Sequence, residues 1–128
     1  MLITFSTGKS VSEASTALEA AVAAHQFGIL HLYNIRETMA KKGVEFGREC
    51  LIFEVCQPQK AEKMLALNIA LSAILPCRIS IYEEGGKTTL ASVKPTALFG
   101  LFNHPQLPPE VLEIEEAIMA IMKEAASG

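Results

Sequence analysis

RISIYEEGGKTTLASV, Arg78 to Val93, decides the fold class. Ile79 and Ile81 alternate with Arg78, Ser80 and Tyr82, the two-residue period of a strand with one apolar face. Gly85-Gly86 allows the consecutive positive φ angles of a two-residue hairpin turn, and Thr88 to Val93 resumes as the returning strand. The outward residues are polar, which fits a sheet covered on one face only. A doubly covered sheet would need more continuously apolar strands.

Working outward, Cys50 to Cys56 alternates again, with Leu51, Phe53 and Val55 as the expected core face and Cys50, Ile52, Glu54 and Cys56 opposite. Pro58 suits the first turn of a helix expected to run to about Leu75, with Ala61, Leu65 and Ile69 or Asn68 along one side, until Pro76 ends it. Upstream, Ile3 and Phe5 suggest a short opening strand. Val11, Ala14, Leu18, Ala21 or Val22, and His25 recur at helical spacing behind Ser10 and Glu13, a capping-box pair, in a helix ending near Gly28. Ile29 to Tyr33 is a second strand, with His31 placed on the face of Ile29 and Tyr33. Asn34 caps a short helix, IRETMAKK, that Gly43 stops. Downstream, Pro95, Pro105, Pro108 and Pro109 frame an apolar segment, Ala97 to Phe102, expected to hold one short helix that covers a sheet edge, lines a cleft or meets a second chain. The last helix opens after Pro109 with Val111, Ile114, Ile118 and Ile121 as its stripe and Glu110, Glu113, Glu115 and Glu116 towards its positive end. Met119 and Met122 widen that stripe, which suggests a subunit interface.

The expected fold class is therefore α+β in one domain, residues 1–128, with roughly five strands and helices packed mostly on one face. The topology stays open at this point. Parallel neighbours joined by a crossover helix would separate Cys56 from Cys77, whereas antiparallel neighbours would bring both to one end of the sheet.

Composition narrows the chemistry. The 128 residues carry 11 Lys plus Arg against 14 acidic residues, a net charge of −3, and all 14 are Glu. With no Asp there is no Asp-rich calcium loop, no Ser-His-Asp triad and no Asp-held magnesium site for phosphoryl transfer. An acidic chain without Trp is a poor match to a phosphate backbone, so no nucleic-acid partner is expected. MLITFSTGKS lacks the cationic start and apolar run of a secretory signal, and the apolar stretch Met64 to Cys77 is too short to cross a bilayer. No membrane partner is expected. Three cysteines, an odd number, read as free thiols in a reducing compartment, with cytoplasm the expected location.

FGILHLYNIRETMAKKG, LIFEVCQPQKAEKML and ILPCRISIYEEGGKTTLASVKP carry a resemblance to a family. Its markers are Lys42-Gly43, Cys56-Gln57-Pro58, Leu75-Pro76-Cys77 and Glu84-Gly85. Over about Gln26 to the end of the last helix the chain resembles the domain of unknown function 302 family. The resemblance implies a mainly antiparallel sheet like that of the TATA-binding protein, and a homodimer, with no settled activity. The family usually has Asn where this chain has Gln57, and the longer amide is expected to forgo the cap that Asn would supply.

Candidate site residues follow from chemistry at strand ends. Cys56 precedes a proline-led helix, whose positive end would favour a thiolate. As a buried apolar side chain it would be inert. Cys77 follows a helix and gains less; it is the candidate resolving partner. His31 is a candidate base if it shares a pocket with Cys56, and otherwise an ordinary strand residue. Gln57, Glu54, Phe99 and Phe102 are candidate ligand contacts, between strand ends and the proline-framed segment. His25, His31, His104 and the cysteines lack the spacing that closes a zinc site, and neither metal nor cofactor is expected. Two functions are therefore carried forward. One is a homodimeric module that binds a small molecule or a protein partner without catalysis. The alternative is a thiol-dependent redox or sulfur-handling protein using Cys56 with Cys77.

Overall fold

The computed structural model describes residues 1–102 and 106–128, so the expectations for His104 and Pro105 lie outside the described residues. The strands are β1 (Leu2–Thr7), β2 (Gly28–Asn34), β3 (Cys50–Cys56), β4 (Cys77–Glu84) and β5 (Lys87–Val93). They form one sheet in the order β1-β5-β4-β3-β2, antiparallel at every pairing. The helices are α1 (Val11–Ala24), α2 (Ile35–Lys41), α3 (Pro58–Leu67), a 3-10 turn α4 (Ile69–Ala73), α5 (Pro95–Phe99) and α6 (Pro109–Ala126).

Local chemistry accounts for most boundaries. The β4–β5 hairpin closes with Glu84 opposite Lys87 and φ of 60° and 77° at Gly85 and Gly86, the two positive angles of a primed turn. Ser10 and Glu13 form the capping box at α1, bonding each other's backbone N–H at 3.0 and 2.8 Å. Asn34 Oδ1 accepts from Glu37 N at 3.1 Å, and Gly43 takes a positive φ after α2.

The buried face of the sheet carries Ile3, Phe53, Val55, Ile79, Ile81 and Leu90. Against it lie the stripes of α1 (Val11, Ala14, Leu18, Val22) and α6 (Val111, Ile114, Ile118, Ile121, Met122), in one hydrophobic cluster. Burial of these side chains is the main favourable term, about 1.5–3 kcal/mol for each of the Val, Leu, Ile, Met and Phe side chains relative to exposure. Met122 belongs to this core, whereas Met119 stays exposed.

Three expectations change. The helix from Pro58 ends at Leu67, well short of Leu75, because Asn68 is extended and turns its Oδ1 to Ala70 N at 3.0 Å, restarting the chain as α4. An Asn side chain that bonds nearby backbone competes with the helix in this way. In consequence Ile69 is exposed, and Met64 and Leu71 supply the buried contacts of this region. Gln57 does cap α3: its Oε1 accepts from Lys60 N at 2.8 Å, so the longer amide keeps the bond expected of Asn. In β2 a bulge between Ile29 and His31 breaks the alternation, so Ile29 pairs with Val55 while His31 pairs with Glu54 and Tyr33 with Ile52. His31 and Ile29 therefore lie on opposite faces.

Candidate functional site

The antiparallel β3–β4 ladder places Val55 opposite Cys77 and Glu54 opposite Arg78. Directly opposed residues share a face, so Glu54 and Arg78 stand together on the open side and Val55 and Cys77 on the helix side. Around the start of β4 lies an open-sided cavity of about 320 Å³. The end of β5, Ser92 and Val93, forms one wall, and Pro95 and Leu98 of α5 continue it. Ala73 to Pro76 form the opposite wall, and Met64 and Ile114 reach it from α3 and α6.

Three hydrogen bonds fix the β5–α5 wall. Glu115 Oε1 accepts from both Thr96 N at 3.1 Å and Thr96 Oγ1 at 2.6 Å, tying α5 to α6. Ser92 Oγ donates to the Arg78 carbonyl at 2.6 Å, tying β5 to the start of β4. Glu54 carries the charged contacts of the lining. Its Oε1 accepts from Tyr33 Oη at 3.2 Å and its Oε2 lies 3.5 Å from an Arg78 guanidinium nitrogen. The Glu54 side chain is only 15% exposed, while that of Arg78 is 64% exposed. His31, opposite Glu54 in register, sets its ring 4.3 Å from that of Tyr33.

A narrow recess adjoins the cavity, sharing Leu75, Pro76, Cys77 and Ile114 with it, and is lined also by Cys56 and Gln57. The structure thus brings Cys56 and Cys77 to one place. Burial pushes both thiols up, Cys77 to about 11 with the neighbouring Cys56 adding to the rise. The positive end of α3 is already engaged by the Gln57 side chain. At neutral pH the Cys77 wall is a neutral thiol.

Of the sequence candidates, Glu54 and Cys77 line the cavity, while Cys56 and Gln57 line the recess. His31 lies outside both linings; it pairs with Glu54 across the ladder and sets its ring against Tyr33, which donates to Glu54. Phe99 is buried in the core and Phe102 packs against it; Leu98 is the residue of that segment that faces the cavity. Sequence reasoning missed Arg78, Ser92 and Leu98. The polar run outward from Arg78 was visible, but its pairing with Glu54 depends on the β3–β4 register, which no local pattern encodes.

Among the described residues no cluster of three or more His, Cys, Asp or Glu side chains could hold a metal ion, and no helix is long and apolar enough to cross a membrane. Comparison with curated proteins gives no match. Among solved structures the chain is similar to the crystal structure of an uncharacterized conserved DUF302 protein from Bacillus stearothermophilus, at 31% identity and a TM-score of 0.91, over 97% of each chain. The family model for the domain of unknown function DUF302 matches residues 3–125, and the chain therefore belongs to the DUF302 family.

Proposed function

We propose that this protein is a binding module without a catalytic step of its own, and that its ligand is a small molecule held in the cavity beside Glu54 and Arg78. One observation carries the reading: a concavity of about 320 Å³ lined mainly by apolar side chains, with Glu54, Arg78 and Ser92 as its few polar ones. That is the usual make-up of a small-molecule site, and its size sits at the low end of roughly 300–1,000 Å³. Native mass spectrometry of freshly purified protein tests it. The expected result is an added mass that leaves on denaturation and is lost in Ala73→Trp, which fills the cavity from an exposed wall position. An added mass unchanged by Ala73→Trp would overturn the reading.

The module works as a homodimer in this account, with a second copy covering β2. Every residue of that edge strand is exposed or half-buried, including Ile29, Leu30, Leu32 and Tyr33, and GILHLYN has no charged residue to deter pairing. The three cysteines, all free, suit the reducing cytoplasm.

Thiol chemistry by Cys56 with Cys77 is the second reading, favoured by the recess that both line. It ranks below binding because burial opposes formation of either thiolate. Cys56→Ser with ligand retention intact supports the binding reading, and loss of a measurable thiol-exchange activity in that variant supports the second.

A further inference from the structure

The cavity lining contains two charged side chains among its described residues, Glu54 and Arg78, and they are opposite in sign and directly opposed in register. Its other polar groups are largely committed or neutral, since the Ser92 hydroxyl donates to the Arg78 carbonyl. From this arrangement we infer, building on the binding reading above, that the ligand is a zwitterionic amphiphile of the class of an α-amino acid with a bulky apolar side chain. Its ammonium meets Glu54, its carboxylate meets Arg78, and its apolar body lies among Leu75, Leu98 and Ile114.

Charge accounting selects this class over its simpler relatives. A carboxylic acid seated on Arg78 would stand beside the carboxylate of Glu54, and an amine seated on Glu54 would stand beside the guanidinium. Each would add a like-charge contact in a partly desolvated site, where such contacts cost most. A zwitterion gives each protein charge an opposite partner and adds no net charge. The Glu54–Arg78 contact also leaves room for exchange. At 3.5 Å it is long beside the roughly 2.7–2.9 Å of a strong charge-assisted hydrogen bond. Arg78 is mostly exposed, so its planar fork is available for bidentate capture of a carboxylate, while the sheltered Glu54 keeps its place through the Tyr33 hydroxyl.

Isothermal titration at pH 7 with four probes that share one apolar body tests the inference: phenylalanine, 3-phenylpropionate, 2-phenylethylamine and 2-phenylethanol. Phenylalanine is expected to bind at least about tenfold more tightly than either singly charged probe, a difference of about 1.4 kcal/mol. Glu54→Gln should weaken phenylalanine while improving 3-phenylpropionate, and Arg78→Gln should do the converse with 2-phenylethylamine. Binding of a singly charged or neutral probe as tight as that of phenylalanine would overturn the zwitterion inference and leave the cavity reading standing. Failure of all four to bind would overturn both.

Discussion

Glu54 and Arg78 face each other across the β3–β4 ladder, yet only the carboxylate is withdrawn from water: its side chain is 15% exposed against 64% for the guanidinium. A pair so open on one side contributes little to folding. Glu54→Gln and Arg78→Gln should each lower unfolding free energy by less than about 1 kcal/mol, read from urea midpoints. A loss above about 3 kcal/mol would mark the pair as a buried structural bridge instead.

The Cys77 thiol gives a pH signature. Its folded-state value is raised from 9.0 to about 11 by burial, with Cys56 adding to the rise. Between those values the unfolded chain releases the proton that the folded chain retains, so stability falls as pH rises through this window and the full contribution is present below it. Cys77→Ala should flatten the fall between pH 9 and 11 relative to the parent, measured by urea denaturation at each pH. Equal slopes in the two proteins would contradict the burial of this thiol.

Gln57 should behave as a helix cap. Gln57→Ala removes the acceptor of Lys60 N and should cost about 1 kcal/mol, whereas Gln57→Asn should stay within a few tenths of the parent. Equal stability of the alanine variant in thermal melts would show that water replaces the bond.

The proposed dimer seats a second copy on the β2 edge. Leu30, 59% exposed at the bulge, can take a charge at little cost to the monomer while opposing a second copy on this edge. Leu30→Lys should convert dimer to monomer in sedimentation equilibrium without altering the circular dichroism spectrum. A parent protein that is monomeric at all concentrations would remove the dimer from the account.

Much of this fold was legible because its signals are local. The Gly85-Gly86 turn, the Ser10–Glu13 box, the Asn34 cap and the alternation of Cys50 to Cys56 each depend on residues within a few positions, and all appear where the sequence places them. The break at Asn68 did not announce itself, since one side-chain hydrogen bond to Ala70 outweighs an otherwise helical run of Ala, Leu and Met. The Ile29 and His31 faces depended on an extra residue in β2 that alternation cannot foresee. The candidate site was half legible. Glu54 and Cys77 were found by their place at strand ends. Arg78 and Leu98 join the cavity lining only because register and helix packing bring chain segments far apart in sequence together. Residue type marks a group that can do chemistry, and tertiary pairing decides which neighbour it does it with.

The most direct test of a ligand site in this cavity is an amide NMR titration of the parent protein with 2-phenylethanol, a neutral probe that reports the apolar walls irrespective of headgroup. The account predicts saturable shifts concentrated at Ile74, Leu75, Cys77, Arg78, Val93 and Leu98, the residues around the start of β4. Shifts centred on β2 or on Ser6–Lys9 at the end of β1, with the β4 start unmoved, would contradict it.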